Sequence, residues 1–392
     1  MSTKMSEVVR PIGAIENLFS AYAEGDAMAF ALVADLLDPI ADDQLARSLA
    51  SVQAAHPMLR VCIGLDPDGH LALLQSGAPI SVRQKRVERI NLDQEVAQAL
   101  ADPFAPGVGP LMRVLAVSDG LVTSLICVWH HAVADGKAAL IVLREVIAAL
   151  GGEPPTEMAD ALPLDHFVGY TMPPLARAGF NPDPAGEIMV SIEHLHAEPT
   201  DRLLRVAKQH GVTFNSLLVA AVAAVHGPGT GGAAARLMAP IDIRPVVGAE
   251  IQDGLFISIA VTARGDGDDL WSHAARAKDE IAKARSLKAI VGFVAGVGDR
   301  FSSAGDYDAA RRQLVTHSPF DTIVTNLGVI PQLHSARAPR CNRIFGPVLK
   351  PYRGQDIISV SSYAGRIALM HSSANGDTGL LSRLTALLGK LS

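Results

Sequence analysis

The stretch His130-His131-Ala132-Val133-Ala134-Asp135-Gly136 decides how this chain is read. It follows Leu121 to His131, a mostly apolar run with the pattern of a strand covered on both faces. It precedes Lys137 to Leu150, where Leu140, Leu143, Ile147 and Leu150 share one helical face and Gly151 can end the helix. The seven residues therefore occupy a strand-to-helix turn. Such a turn can hold an imidazole rigidly in a cleft, near its unperturbed pKa, ready to take a proton from an alcohol or amine. If the strand runs through His131, side chains 130 and 131 point to opposite faces, so only one ring faces a given cleft. That argues against a shared metal, and Asp135 alone would leave the ligand set short. Each residue also has a structural alternative. His130 can be a satisfied core histidine, and Asp135 can cap the helix that follows. Gly136 either allows close backbone approach or only starts the helix. Trp129 reads as core packing beside the motif.

Composition sets the outer bounds. A chain of 392 residues suggests two or three structural units. Its hydrophobic share is 49% against 19% charged, so ample apolar surface is available to bury. The net charge of -6, with no polybasic run, points away from nucleic acid and from an anionic membrane. Cys62, Cys127 and Cys341 are odd in number and far apart, which supports neither a disulfide framework nor a zinc site. Met1 to Gly13 lacks an apolar signal core, and no apolar run approaches the roughly 18 residues of a membrane span. The expectation is a soluble cytoplasmic protein.

Strand and helix patterns alternate along both halves, which favours α/β layers over a helical bundle. In the first half, Asp42 or Asp43 can cap a helix that His56-Pro57 stops, with strands expected at Leu59 to Ile63, His70 to Leu74 and Leu111 to Leu115. Gly151 to Pro184 holds seven prolines and little periodicity, the pattern of a crossover linker. In the second half, Thr200 and Thr213 can cap helices, Gly227 to Gly232 reads as a flexible loop, and Leu237 to Arg244 and Asp321 to Ile330 read as strands. Asp269 to Arg285 is an amphipathic helix, Ile357 to Ser372 a hairpin turning at Ala364-Gly365, and Leu380 to Leu391 a C-terminal helix. The expected division is an N-terminal lobe over 1–155, a linker over 156–186 and a C-terminal lobe over 187–392.

The seven-residue motif resembles the HHxxxDG signature of the chloramphenicol acetyltransferase-like superfamily. Its members include nonribosomal peptide condensation domains, plant alcohol acyltransferases and bacterial polyketide-associated acyltransferases. Further stretches agree in order: Arg10-Pro11-Ile12-Gly13 with Glu16, His56-Pro57-Met58-Leu59-Arg60, and Gly109-Pro110-Leu111-Met112-Arg113. Gly211-Val212-Thr213, Asp242-Ile243-Arg244-Pro245 and Asn326-Leu327-Gly328 follow in the second half, so the similarity spans nearly the whole chain. The DFGWG motif of the plant branch is absent, which places the resemblance nearer the bacterial polyketide-associated and free-standing condensation-like enzymes.

The resemblance implies two similar α/β lobes with an active-site tunnel at their interface. It implies His131 as general base, taking a proton from a hydroxyl or amine acceptor that attacks a thioester carbonyl. It gives His130, Asp135 and Gly136 supporting roles. Arg244 is the expected buried partner of Asp135, with Arg60 as the fallback. The alternative is that Arg244 pairs locally with Asp242. Thr325 and Asn326 are candidates for oxyanion or substrate contact, or ordinary strand and turn residues. The donor is expected to be acyl-CoA or a phosphopantetheine thioester on an acyl-carrier protein, with a small-molecule acceptor, no permanently bound cofactor and no metal. Polyketide, lipid or other specialised-metabolite biosynthesis is the expected setting. Competing readings are a free-standing condensation enzyme joining two carrier-bound groups, a non-catalytic binding protein of the same fold, and a metal hydrolase.

Other signals are discounted. Gly265 to Asp269 lacks calcium-loop spacing, Gly227 to Gly232 lacks the P-loop lysine, and Gly292 to Gly298 lacks Rossmann spacing. His317-Ser318 has no G-x-S-x-G elbow to serve.

Overall fold

A computed structural model describes residues 7–160, 162–177, 186–227, 232–249, 252–265, 267–303, 307–316, 319–333, 337–352, 354–374 and 379–391. The core of the expected loop at Gly227 to Gly232, the pair His317-Ser318 and part of the Pro-rich linker lie outside them. Among the described residues the strands form three sheets, interleaved with helices. A five-stranded sheet runs in the order Cys341–Leu349, Phe30–Leu36, Thr123–Trp129, Met112–Ser118, Ser81–Arg86. A six-stranded sheet runs Ile257–Ala263, Arg236–Asp242, Thr322–Ile330, Asp356–Tyr363, Arg366–Ser373, Met189–His194. A small sheet pairs Val8–Pro11 and Val61–Leu65 with Leu71–Gln75 between them. No helix among the described residues is long and apolar enough to cross a membrane.

The strand Thr123–Trp129 is buried at every position, as its mostly apolar run suggests for a central strand with both faces covered. It pairs antiparallel with Phe30–Leu36 on one side and Met112–Ser118 on the other. Cys341–Leu349, from the second half of the chain, pairs antiparallel with Phe30–Leu36 and completes the first sheet. This exchanged strand joins the two halves. One apolar core, from Ile12 to Leu388, runs through both.

Local details depart from the sequence expectations for identifiable reasons. Asp42 and Asp43 lie in the first turn of the helix Asp42–Ala55, where carboxylates favour the helix dipole, and do not cap it. Pro57 opens a 3-10 turn over Pro57–Arg60, so the next strand begins at Val61. Thr200 lies inside the helix Ala197–Gln209, its hydroxyl donating to the His196 carbonyl at 2.9 Å. Thr213 does cap Phe214–Val225, its hydroxyl accepting from the Ser216 amide. The hairpin turns at Ala364-Gly365, both with positive φ.

Candidate active site

The motif strand ends at Trp129, two residues earlier than its apolar run suggests, and the motif helix Gly136–Leu150 begins at the glycine. His130 and His131 lie in the connection between them, and their rings still separate. His131 lines a cavity with Phe30 and Leu349, whereas His130 lines another with Ala29 and Lys350. Adjacent residues of three neighbouring segments thus divide between two faces of the first sheet, as a period of two demands.

On the first face, the cavity lies between the halves. His131, Asp135, Gly136 and Lys137 meet Pro240, Ile257, Thr325, Asn326 and Leu327 there. The His131 ring stacks on Phe19, centroids 3.9 Å apart and planes 14° from parallel, and Phe30 packs against it at 4.7 Å. Its Nδ1 is buried with no hydrogen-bond partner. The sequence expectation of a pKa near the ordinary value is corrected here. Burial pulls the ring down to about 4, partly opposed by the Asp135 charge. His131 is therefore neutral at pH 7 and has a lone pair to offer.

His130 is held apart from this chemistry. Its Nδ1 accepts from the Ala132 amide at 3.2 Å, and Phe104 meets it edge-on. Burial, with Arg113 and His131 nearby, pushes its pKa down to about 3. Trp129 is fully buried and stacks on Phe30.

Asp135 uses both carboxylate oxygens. Oδ1 accepts from the Lys137 and Ala138 amides, each at 3.0 Å, which caps the motif helix. Oδ2 accepts from Arg244 Nη1 at 2.8 Å and from the Phe256 amide at 2.9 Å. Arg244 does not continue the strand Arg236–Asp242; it opens the short helix Arg244–Val247. From there Nη1 also reaches Asp242 at 3.2 Å, Nη2 donates to the Gly254 carbonyl and Nε to the Gln252 carbonyl. The long-range pair and the local pair coexist, because one guanidinium has donors enough for both. Arg60 makes no ion pair with Asp135, and its Nε is buried without a hydrogen-bond partner.

Gly136 lies where a Cβ would come within 3.1 Å of Leu327 Cδ1, so its bareness lets the motif helix approach the second half closely. Thr325 and Asn326 face the same cavity as His131. Asn326 Oδ1 accepts from the Gly328 amide at 2.8 Å, at an irregularity in the pairing of Thr322–Ile330. Lys137 Nζ donates to the Leu327 carbonyl at 2.9 Å, tying the two halves at the cavity wall.

Sequence reasoning did not single out Phe19, Phe30, Lys137 or the segment Gln252–Phe256. Phe30 opens a fully buried run, Phe30–Leu36, which was a readable strand signal. Nothing local marks the other three. Asp66, Asp68 and His70 lie within metal-ligating distance of one another, but on a turn in which Asp66 Oδ1 already accepts from the Asp68 and His70 amides.

Neither a protein-family model nor a curated protein matches the chain. Solved structures do. Polyketide synthase associated protein 5 from Mycobacterium tuberculosis is similar with a TM-score of 0.68 at 16% identity, over 98% of this chain and 97% of that one. The condensation domain of the Monacolin K polyketide synthase MokA gives 0.67 at 12% identity, over 98% and 97%. The trichothecene 15-O-acetyltransferase TRI3 from Fusarium sporotrichioides gives 0.67 at 12%, over 97% and 94%. The chain has the two-lobed condensation-domain, chloramphenicol acetyltransferase-like fold.

Proposed function

We propose that this chain is an acyltransferase that moves an acyl group from a thioester to a hydroxyl or amine acceptor, with His131 as general base. The reading is carried by one observation: a buried, aromatic-stacked imidazole lines a cavity whose walls come from both halves of the chain. The imidazole takes the acceptor proton as the acceptor oxygen or nitrogen bonds to the thioester carbon. Collapse of the tetrahedral intermediate breaks the carbon–sulfur bond, and the imidazolium returns the proton to the departing thiolate. General-base assistance of this kind supplies about 10²–10⁴ in rate, and positioning of the two substrates supplies much of the rest. In this reading Asn326 and Thr325, which line the same cavity, supply donors to the oxyanion. Asp135 and Arg244 hold the turn in shape without touching the reacting atoms.

The donor thiol in this reading is coenzyme A or the phosphopantetheine of an acyl-carrier protein, and the setting is cytoplasmic synthesis of specialised metabolites or lipids. Mass-spectrometric screening of purified protein against acyl thioesters and small alcohols or amines tests it, with His131→Ala as control. Acylated product that depends on His131 supports the assignment. Equal product from both proteins removes it.

A second reading, a free-standing condensation enzyme joining two carrier-bound groups, draws on the likeness to condensation domains. Its product would remain attached to a carrier protein, and pull-down with a loaded carrier separates the two.

A further inference from the structure

His56 lies outside the cavity, fully buried, where it ends the helix Asp42–Ala55. Its Nδ1 is 2.9 Å from Asp253 Oδ2, and its Nε2 is 2.7 Å from Glu145 Oε2. Glu145 belongs to the motif helix, and Asp253 to the segment of the second half that seats the motif carboxylate. On either side of Asp253, that segment is gripped by Arg244 and by Asp135 of the motif. The Gln252 carbonyl accepts from Arg244, the Gly254 carbonyl accepts from Arg244 and from the Asp135 amide, and the Phe256 amide donates to Asp135.

A neutral imidazole has one N–H and one lone pair. Set between two carboxylates, it can satisfy one and must present its lone pair to the other. An imidazolium donates to both. We propose that His56 is a positioning residue: as an imidazolium it clamps the Asp253 segment onto the motif helix and so holds the Asp135–Arg244 pair in register. The charged groups acting on the ring are Asp253 on that segment and Glu145 on the motif helix. Burial of the ring pulls its pKa down, but the bonds and charges of the two carboxylates outweigh burial, and the net displacement is upward. The sign follows: the clamp is complete below the ordinary histidine value of 6.5 and is lost as pH rises through the raised value.

The amides of Asp135 and Phe256 report the clamp directly, because both are hydrogen-bonded across it. The test is hydrogen exchange of these two amides in the full chain, expressed relative to the Leu125 amide in the motif strand, over pH 6 to 9. In the native protein the ratio stays flat below pH 6.5, rises by up to about tenfold per pH unit between 6.5 and the raised His56 value, the limit for loss of one coupled proton, and levels off above it. In Glu145→Gln the neutral ring can donate to Asp253 and accept from the amide, so the rise disappears; Glu145 is 18% exposed, which makes this variant tolerable to the fold. Nitrogen-15 spectra of labelled histidine, with the His56 signal found by its absence in His56→Gln, are expected to show both ring nitrogens protonated at pH 6, below the ordinary histidine value. A ratio independent of pH in the native protein, the same rise in Glu145→Gln, or a singly protonated ring would each overturn the proposal. Any bearing on turnover rests on the acyl-transfer reading, but these measurements need no substrate and stand or fall separately from it.

Discussion

Asp135 and Arg244, 109 positions apart in the chain, meet at 2.8 Å with each side chain only 4% exposed. Burial alone would raise the Asp135 pKa, but the Arg244 charge and four donors outweigh it and hold the carboxyl below its ordinary range. The pair joins the motif turn in one half to the Gln252–Phe256 segment in the other. Asp135 itself lines the cavity.

Asp135→Asn removes that charge and leaves Arg244 buried with only Asp242 and carbonyl partners. Losing one member of a buried pair costs about 3–5 kcal/mol. Urea or thermal unfolding is expected to show a loss of that order. A melting curve superimposable on the native one sinks the structural role assigned to Asp135.

His131→Ala is expected to lower acyl transfer by about 10²–10⁴ or more while the far-UV circular dichroism stays native. The ring packs on Phe19 and Phe30, so a modest loss of stability accompanies it. Turnover within threefold of native would show that another group takes the proton.

Acid should weaken the fold through its buried histidines. His131 and His130 are held at about 4 and about 3, against 6.5 for the free side chain. Between pH 6.5 and 4 the unfolded chain binds protons that the folded chain refuses, so stability falls as pH drops. Replacing His131 by Asn removes one of these two contributions. The Tm of the variant is expected to fall less steeply from pH 7 to 4.5 than that of the native protein; parallel curves would contradict the burial assigned to the ring.

Gly136→Ala and Gly136→Phe separate packing from backbone freedom. The added Cβ of alanine meets the end of the flexible Leu327 side chain at 3.1 Å, and the φ of Gly136 is not among the positive values. Alanine is expected to change stability by less than about 1 kcal/mol, which its helix propensity offsets. Phenylalanine must displace Leu327 and Pro347, with a loss of about 1–3 kcal/mol in urea unfolding. Equal effects from both substitutions would remove the close-approach explanation.

The parts of this site that were legible in the sequence are those written in local pattern. The mostly apolar run before His130 pointed to a covered strand, and the Leu140, Leu143, Ile147 spacing pointed to a helix after Asp135. Asp135 at the helix start allowed a cap as one of its two readings, and the carboxylate does cap while also pairing with Arg244. The displaced pKa of His131 was not legible, because it depends on Phe19 and Phe30, which arrive from a separate helix and a neighbouring strand. Phe19 lies in the helix Ala14–Glu24, whose polar residues Glu16, Asn17, Ser20 and Glu24 are themselves buried, so the residue pattern did not say which face meets the motif.

Periodicity, composition and a seven-residue motif determined that this is a layered α/β chain with one imidazole presented at a strand-to-helix turn, since those properties follow from the backbone's own repeat. Tertiary structure alone decided that Cys341–Leu349 crosses into the first sheet, that Arg244 serves Asp135 and Asp242 together, and that His56 stands between two carboxylates. Apart from Arg244–Asp242, these contacts join residues tens to hundreds of positions apart. Their strength comes from exclusion of water and from the donor count at the meeting point, neither of which exists until the chain has closed on itself.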